Sequence, residues 1–186
     1  PQAPDIMCLP KENFFRIWDW VGGRFSVWGS IGLPLAVALG PEAFSEFLRG
    51  ANEMDRHSLS APLEENLPAL LALVAYWNAT RLEITSHCLL PYDERLRVMV
   101  PWLQQLEMES LGKSHAADGT PIAGHTGQGV WGANGNEAQH SFYQWLREGT
   151  GRTSLDIVWS EMPGHRYAEH YRVLLANARA QTEAPV

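Results

Sequence analysis

Two short apolar runs, residues 84–90 and 154–159, stand among segments of helical period, and that alternation leaves few architectures open. The first run begins with β-branched residues and ends at Pro91. The second carries Leu155, Ile157, Val158 and Trp159. Each is too short for a core helix and reads as a buried strand. A third short strand fits residues 129–131 inside a stretch rich in Gly, His, Ala and Thr. Helical spacing fills residues 66–77, 93–109, 137–148 and about 165–184. Strands and helices in turn predict an α/β fold, a mainly parallel sheet with helices on both faces. In such folds a ligand site is expected at the carboxyl ends of the strands.

The helical segments carry their own punctuation. Asn66 is a candidate N-cap, Pro68 suits a first turn, and Leu67, Leu70, Leu71, Leu73, Val74, Tyr76 and Trp77 follow almost without interruption. A helix apolar all round is expected to be buried. Pro101 is expected to kink the helix over 93–109, and Gly112 to stop it. Gly149 closes the helix over 137–148.

Composition narrows the function classes. The 186 residues suit one domain, and 45% hydrophobic against 19% charged residues excludes disorder driven by charge. Net charge is −7, Lys11 and Lys113 are the only lysines, and no arginine cluster compensates; nucleic acid and anionic membrane are excluded as partners. The longest apolar stretch, residues 31–39, is about half of the roughly 20 residues a bilayer span needs. Residues 1–10 lack the basic start and apolar core of a signal peptide. Cys8 and Cys88 make neither a disulfide framework nor a zinc pattern, so a reducing, cytoplasmic compartment is expected. The start at Pro1 and the stop just past a helical pattern suggest a piece of a longer polypeptide.

Three segments hold candidate chemistry. In residues 19–26 paired glycines, Gly22 and Gly23, permit a sharp turn and close backbone approach to a ligand, with Arg24 as a permanent charge beside them. By itself the pattern equally fits a turn with a solvated arginine. In residues 102–110, Gln105 and Glu109 are four apart and share a helix face, whereas Glu107 points away. Such a pair could bind hydroxyls and move a proton, or simply end an amphipathic helix. In residues 132–140 a glycine-rich turn feeds a helix holding Gln139 and His140, where a positive helix end would favour a neutral imidazole. A partly exposed structural histidine fits as well. His165 and His170 are five apart and off-face for a metal, and His57, His87, His115 and His125 show no partner pattern. No metal site, organic cofactor or Ser-His-Asp order follows from the sequence.

Taken in order, the segments resemble the phosphoglucose isomerase family over nearly the whole chain. The resemblance rests on residues 18–28, on Gly50-Ala51 with Met54-Asp55, Ala61-Pro62 and Asn66-Leu67-Pro68, and on residues 89–93. It continues through Gln104-Gln105, Met108-Glu109-Ser110, Gly112-Lys113, Thr126-Gly127, Val130-Trp131-Gly132, residues 139–144 and residues 174–177. It implies a sugar isomerase (SIS) domain, a three-layer α/β sandwich over residues 1–186. This would be the second SIS domain of a homodimeric enzyme, without the first SIS domain and the C-terminal segment. The implied reaction interconverts glucose 6-phosphate and fructose 6-phosphate through a cis-enediol(ate), with no metal or cofactor. By resemblance Glu109 is the base, Arg24 stabilises developing negative charge, and His140 assists ring opening from the partner subunit. Gln105 and the backbone at Gly23 would hold sugar hydroxyls. The family's Ser/Thr-rich phosphate loop and its later lysine-bearing signature are absent, and neither Lys11 nor Lys113 replaces that lysine. Residues 133–138 depart from the family's usual loop, and Gly29 stands where a serine is usual. A non-catalytic sugar-phosphate-binding module on the same fold is the competing reading; retention of a base, Glu109, argues against it.

Overall fold

The computed structural model describes residues 10–184, so the expectations touching Cys8 and the first nine residues lie outside it. The chain divides into two compact units, one ending at Ala69 and one beginning at Leu70.

The first unit contains short 3₁₀ turns at Lys11–Asn13, Gly23–Trp28 and Ser30–Gly32, then α1 (Leu33–Leu39) and α2 (Pro41–Ser60). Gly40, at φ 87°, separates the two helices, and Pro41 opens the second where its missing N–H costs nothing. Phe44, Phe47, Leu48 and Ala51 fall on one stripe of α2, and Phe47 stacks on Trp28 with ring centroids 4.5 Å apart. This amphipathic period was legible in the sequence, although the strand-and-helix alternation above begins only after it. α2 ends at the residue before Ala61-Pro62, where proline disfavours helix.

α3 (Leu67–Thr80) starts as expected: Asn66 Oδ1 accepts from Ala69 N at 3.1 Å, and its Nδ2 donates to Ser58 O at 2.8 Å. The expected burial does not follow. Leu71, Val74, Tyr76 and Trp77 are each more than half exposed, because among the described residues no element covers that side of the helix.

The second unit is built on a parallel sheet of β1 (Ser86–Pro91), β2 (Gly129–Gly132) and β3 (Ser154–Val158), in the order β2-β1-β3. The parallel α/β expectation therefore stands. β1 is central, and Cys88, Leu89 and Leu90 are sealed on both faces, which explains why its sequence is a continuous apolar run. Cys88, Leu90 and Tyr92 form one core with residues of α5 (Gly135–Ala138), α6 (Tyr143–Glu148) and α7 (Ala168–Glu183), flanked by Trp131, Leu155 and Ile157. Burial pushes the Cys88 thiol up to about 12, so it stays protonated and inert.

Two expected helices are broken. Over 93–109 the buried Asp93 caps a 3₁₀ turn at Glu94–Leu96, and helix resumes only at α4 (Met99–Leu103), running on into a π-turn at Gln104–Glu109. Pro101 consequently sits in the first turn of α4 and kinks nothing. Arg95 forks onto the Asp93 carboxylate and donates to Met162 O at 2.8 Å, tying the segment after β1 to the segment after β3. Over 137–148, α5 and α6 are separated by a turn whose Gln139 side chain reaches back into the core. Among the described residues no helix is long and apolar enough to cross a membrane.

Candidate active site

Gln105 and Glu109 lie on the π-turn, whose i→i+5 bonding still leaves residues four apart on a shared side. The Glu109 carboxylate is two-thirds exposed; Ser110 Oγ lies 3.2 Å from its Oε2, and Lys113 Nζ 3.7 Å from its Oε1. Lys113 also donates to the Glu109 carbonyl. A helix carboxyl end disfavours acids such as Glu107 and Glu109; Lys113 offsets the local negative charge and occupies a terminal carbonyl.

The π-turn runs along the outer edge of β2. Gln104 Nε2 donates to Val130 O at 3.0 Å, Met108 Sδ accepts from Val130 N at 3.3 Å, and Leu111 packs beside Gly127, ahead of the strand. Gln105 and Glu109 therefore lie beside the strand edge rather than at its carboxyl end, contrary to the expected placement. The reason is connectivity: the helix leaves the carboxyl end of β1 and runs back to feed the start of β2.

His140 is the candidate that does sit by the carboxyl ends. β2 stops at Gly132, whose φ of 148° and whose missing Cβ (1.9 Å from Leu89 O if present) both require glycine. Asn134 caps α5 through Asn136 N, and Gly135 presses on the Tyr92 ring just past β1. Gln139 Nε2 donates to Tyr92 Oη at 2.8 Å and to Asn177 Oδ1 at 2.5 Å, while the Tyr92 and Tyr143 hydroxyls lie 2.8 Å apart. His140, next in the chain, is exposed. The expected positive helix end is not built here, since α5 has only four residues and His140 follows it. Among the described residues no hydrogen bond or ion pair joins His140 to Gln105 or Glu109.

Gly23 and Arg24 belong to the first unit. Gly22 has an ordinary φ of −67°, so the turn does not use glycine's left-handed freedom. A Cβ on Gly23 would meet nothing within 4 Å. Arg24 lies over the Phe25 ring, 5.0 Å from its centroid.

Two features escaped the sequence reading. One is the Gln104–Met108 pair on Val130, whose only sequence trace is its own four-residue spacing. The other is His87, between Ser154 Oγ at 2.8 Å and Asp156 Oδ2 at 3.3 Å, a grouping made by the β1–β3 register. A cavity of about 130 Å³ at the carboxyl ends of β1 and β3 is lined by Asp93, Arg95, His165 and Tyr171 but by none of the candidate residues. Among the described residues no cluster of His, Cys, Asp and Glu could hold a metal.

Residues 3–186 match the family described as Phosphoglucose isomerase. A glucose-6-phosphate isomerase of Bordetella petrii is 49% identical over 176 residues, covering 95% of this chain and 34% of that protein. The corresponding protein of Brucella ovis is 45% identical over 177 residues, covering 95% and 32%. Among solved structures, a glucose-6-phosphate isomerase from Chlamydia trachomatis superposes with a TM-score of 0.79 at 36% identity, covering 90% of this chain and 34% of that one. A hypothetical protein from Thermus thermophilus gives 0.65 at 30% identity, covering 90% and 42%. The chain thus spans about a third of the length of the curated relatives it matches.

Proposed function

The chain belongs to the phosphoglucose isomerase family, and on that premise we propose that it supplies the proton-transfer side of a cytoplasmic, homodimeric aldose–ketose isomerase acting on glucose 6-phosphate and fructose 6-phosphate. It corresponds in this reading to the second SIS domain. The observation that carries the proposal is the side-by-side presentation of Gln105 and an accessible Glu109 carboxylate on a wide turn held to the sheet edge.

Glu109, as carboxylate, takes the proton from C2 of the open-chain aldose and returns it to C1 through a cis-enediol(ate), while the proton of the C2 hydroxyl passes to the C1 oxygen. A carboxylate suits this because one group must first accept and then release the same proton. Arg24 offsets the negative charge that grows on the oxygens. Gln105 and the Gly23 backbone hold hydroxyls. The open space where a Gly23 Cβ would stand supports this role, since packing and backbone angle do not explain the glycine. His140 assists ring opening. Its placement by the carboxyl ends, away from the edge that carries Glu109, supports a site completed from two subunits.

The test is a chimera in which residues 1–186 replace the matching third of the Bordetella petrii relative, assayed by coupled isomerase kinetics. The parent chimera should turn over. Glu109→Gln should lower kcat by about 10²–10⁴-fold while sugar phosphate still binds. Turnover within tenfold of the parent chimera would remove Glu109 from the base role. The 186-residue chain alone should be inactive, because the phosphate grip that orients the sugar is not on it. Tight sugar-phosphate binding by the chain alone, with an inactive chimera, would favour the binding module instead.

A further inference from the structure

We propose that Gln104 and Met108 are positioning residues for this reaction, clamping the π-turn onto the edge of β2 so that Gln105 and Glu109 are held at one fixed aim. The inference rests on the reading of Glu109 as the base.

Peptide groups alternate sides along a strand. Gly129 N points to the β1 side, where it bonds to Thr85 O at 2.7 Å, so both backbone groups of Val130 point outward. At a sheet edge such groups invite another strand or water. Here the N–H is taken by Met108 Sδ and the C=O by Gln104 Nε2, while the Val130 side chain is buried. Side chains on the helix thus occupy the hydrogen-bonding positions of a further strand.

The spacing gives the clamp its consequence. Gln104 and Met108 are four apart, and Gln105 and Glu109 are the same pair displaced by one residue. Fixing the first pair against the two backbone groups of a single residue fixes rotation of the turn about its own axis. The second pair is then directed one residue-step around that axis, away from the sheet. Single π-turns are rare and frequent at functional sites, so what holds this one in place bears on the residues it carries. Two bonds to one residue stop rotation, where one bond would act as a pivot.

The test uses the chimera together with the 186-residue chain. Met108→Leu keeps the side-chain volume but removes the acceptor. Gln104→Glu keeps the shape and, once ionised, sets an acceptor against a carbonyl; Gln104→Lys restores a donor. Met108→Leu and Gln104→Glu should each lower kcat by about 10–100-fold with KM held within about twofold. Gln104→Lys should recover most of the loss. In the 186-residue chain the Val130 amide should exchange at least about tenfold faster in Met108→Leu than in the parent. Unchanged kcat in both variants, or losses that track only the fraction of folded protein, would overturn the clamp. So would equal Val130 exchange in parent and Met108→Leu. Glu109→Gln run alongside separates the two ideas. Retained turnover there sinks the base and, with it, the catalytic role of the clamp; a dead Glu109→Gln beside unaffected clamp variants sinks the clamp alone.

Discussion

Asp156 shows what a single side chain contributes outside the candidate site. Its carboxylate takes a hydrogen bond from His87, whose other ring nitrogen meets Ser154 Oγ, and the His87 bond holds the Asp156 carboxyl below its ordinary range. The grouping has the membership of a nucleophilic triad but not its freedom. Ser154 Oγ accepts from Gln128 Nε2 at 3.0 Å and donates to Ser86 O at 3.3 Å, so it serves as a tie between strands. A lowered carboxyl value means that the contribution to stability is present above the unfolded value and disappears as pH falls through the folded one. Because Asp156 is half exposed, screening keeps it small. Asp156→Asn should therefore cost on the order of 0.5–1 kcal/mol at neutral pH, measured by urea unfolding, and parent and variant should converge only as pH falls through the lowered folded value of Asp156, below the ordinary aspartate range. A gap of unchanged size from neutral pH down through the whole range in which Asp156 becomes protonated in both states would show that the aspartate acts through something other than its charge. None of this was legible beforehand, since His87 and Ser154 are 67 positions apart and only the strand register unites them.

At the scale of elements, the short helix α5 is set by what it leans on. Gly135 begins it with an added Cβ position 2.0 Å from the Tyr92 ring, and that ring cannot retreat: Tyr92 is fully buried and its hydroxyl is shared with Tyr143 and Gln139. Gly135→Ala should destabilise the chain by about 1–3 kcal/mol, read from the shift of the unfolding midpoint. A neutral effect would mean that α5 is free to shift off β1. The same network explains why residues 137–148 read as one helix and fold as two. Helical period was present, but Gln139 gains bonds to Tyr92 and Asn177 that a continuous helix would have to give up. Likewise the period over 93–109 was real in its second half only. In the first half the buried Asp93, paired with a half-exposed Arg95, claimed the first turn and left Pro101 at the start of α4.

For the whole molecule the dominant feature is apolar surface. α3 has no charged residue from Leu67 to Thr80, yet Leu71, Val74, Tyr76 and Trp77 face outward, and Trp18, Trp20 and Leu59 are also exposed. Contiguous apolar patches beyond a few hundred Å² mark contact surfaces or aggregation liabilities. The 186-residue chain should enhance the fluorescence of an apolar dye such as anilinonaphthalene sulfonate and self-associate at micromolar concentration, whereas the chimera should bind far less dye per molecule. An isolated chain that is monomeric and dye-silent would mean that these side chains find partners within the chain. The mismatch is a matter of supply: a helix without a polar face must be covered, and the described residues do not cover it.

The sequence by itself determined the three parallel strands, the cap at Asn66, the shared side of Gln105 and Glu109, and membership in the family through motifs spread along the chain. These are local or pairwise properties, set by side-chain period, capping chemistry and spacing. Tertiary structure alone decided that the turn bearing Glu109 would widen and be pinned to Val130, that His140 would sit by the carboxyl ends instead, and that an apolar helix would stay exposed. Each of these depends on bonds and contacts between residues far apart in the chain, whose energies have no signature in local sequence until strand register and helix packing bring the partners together.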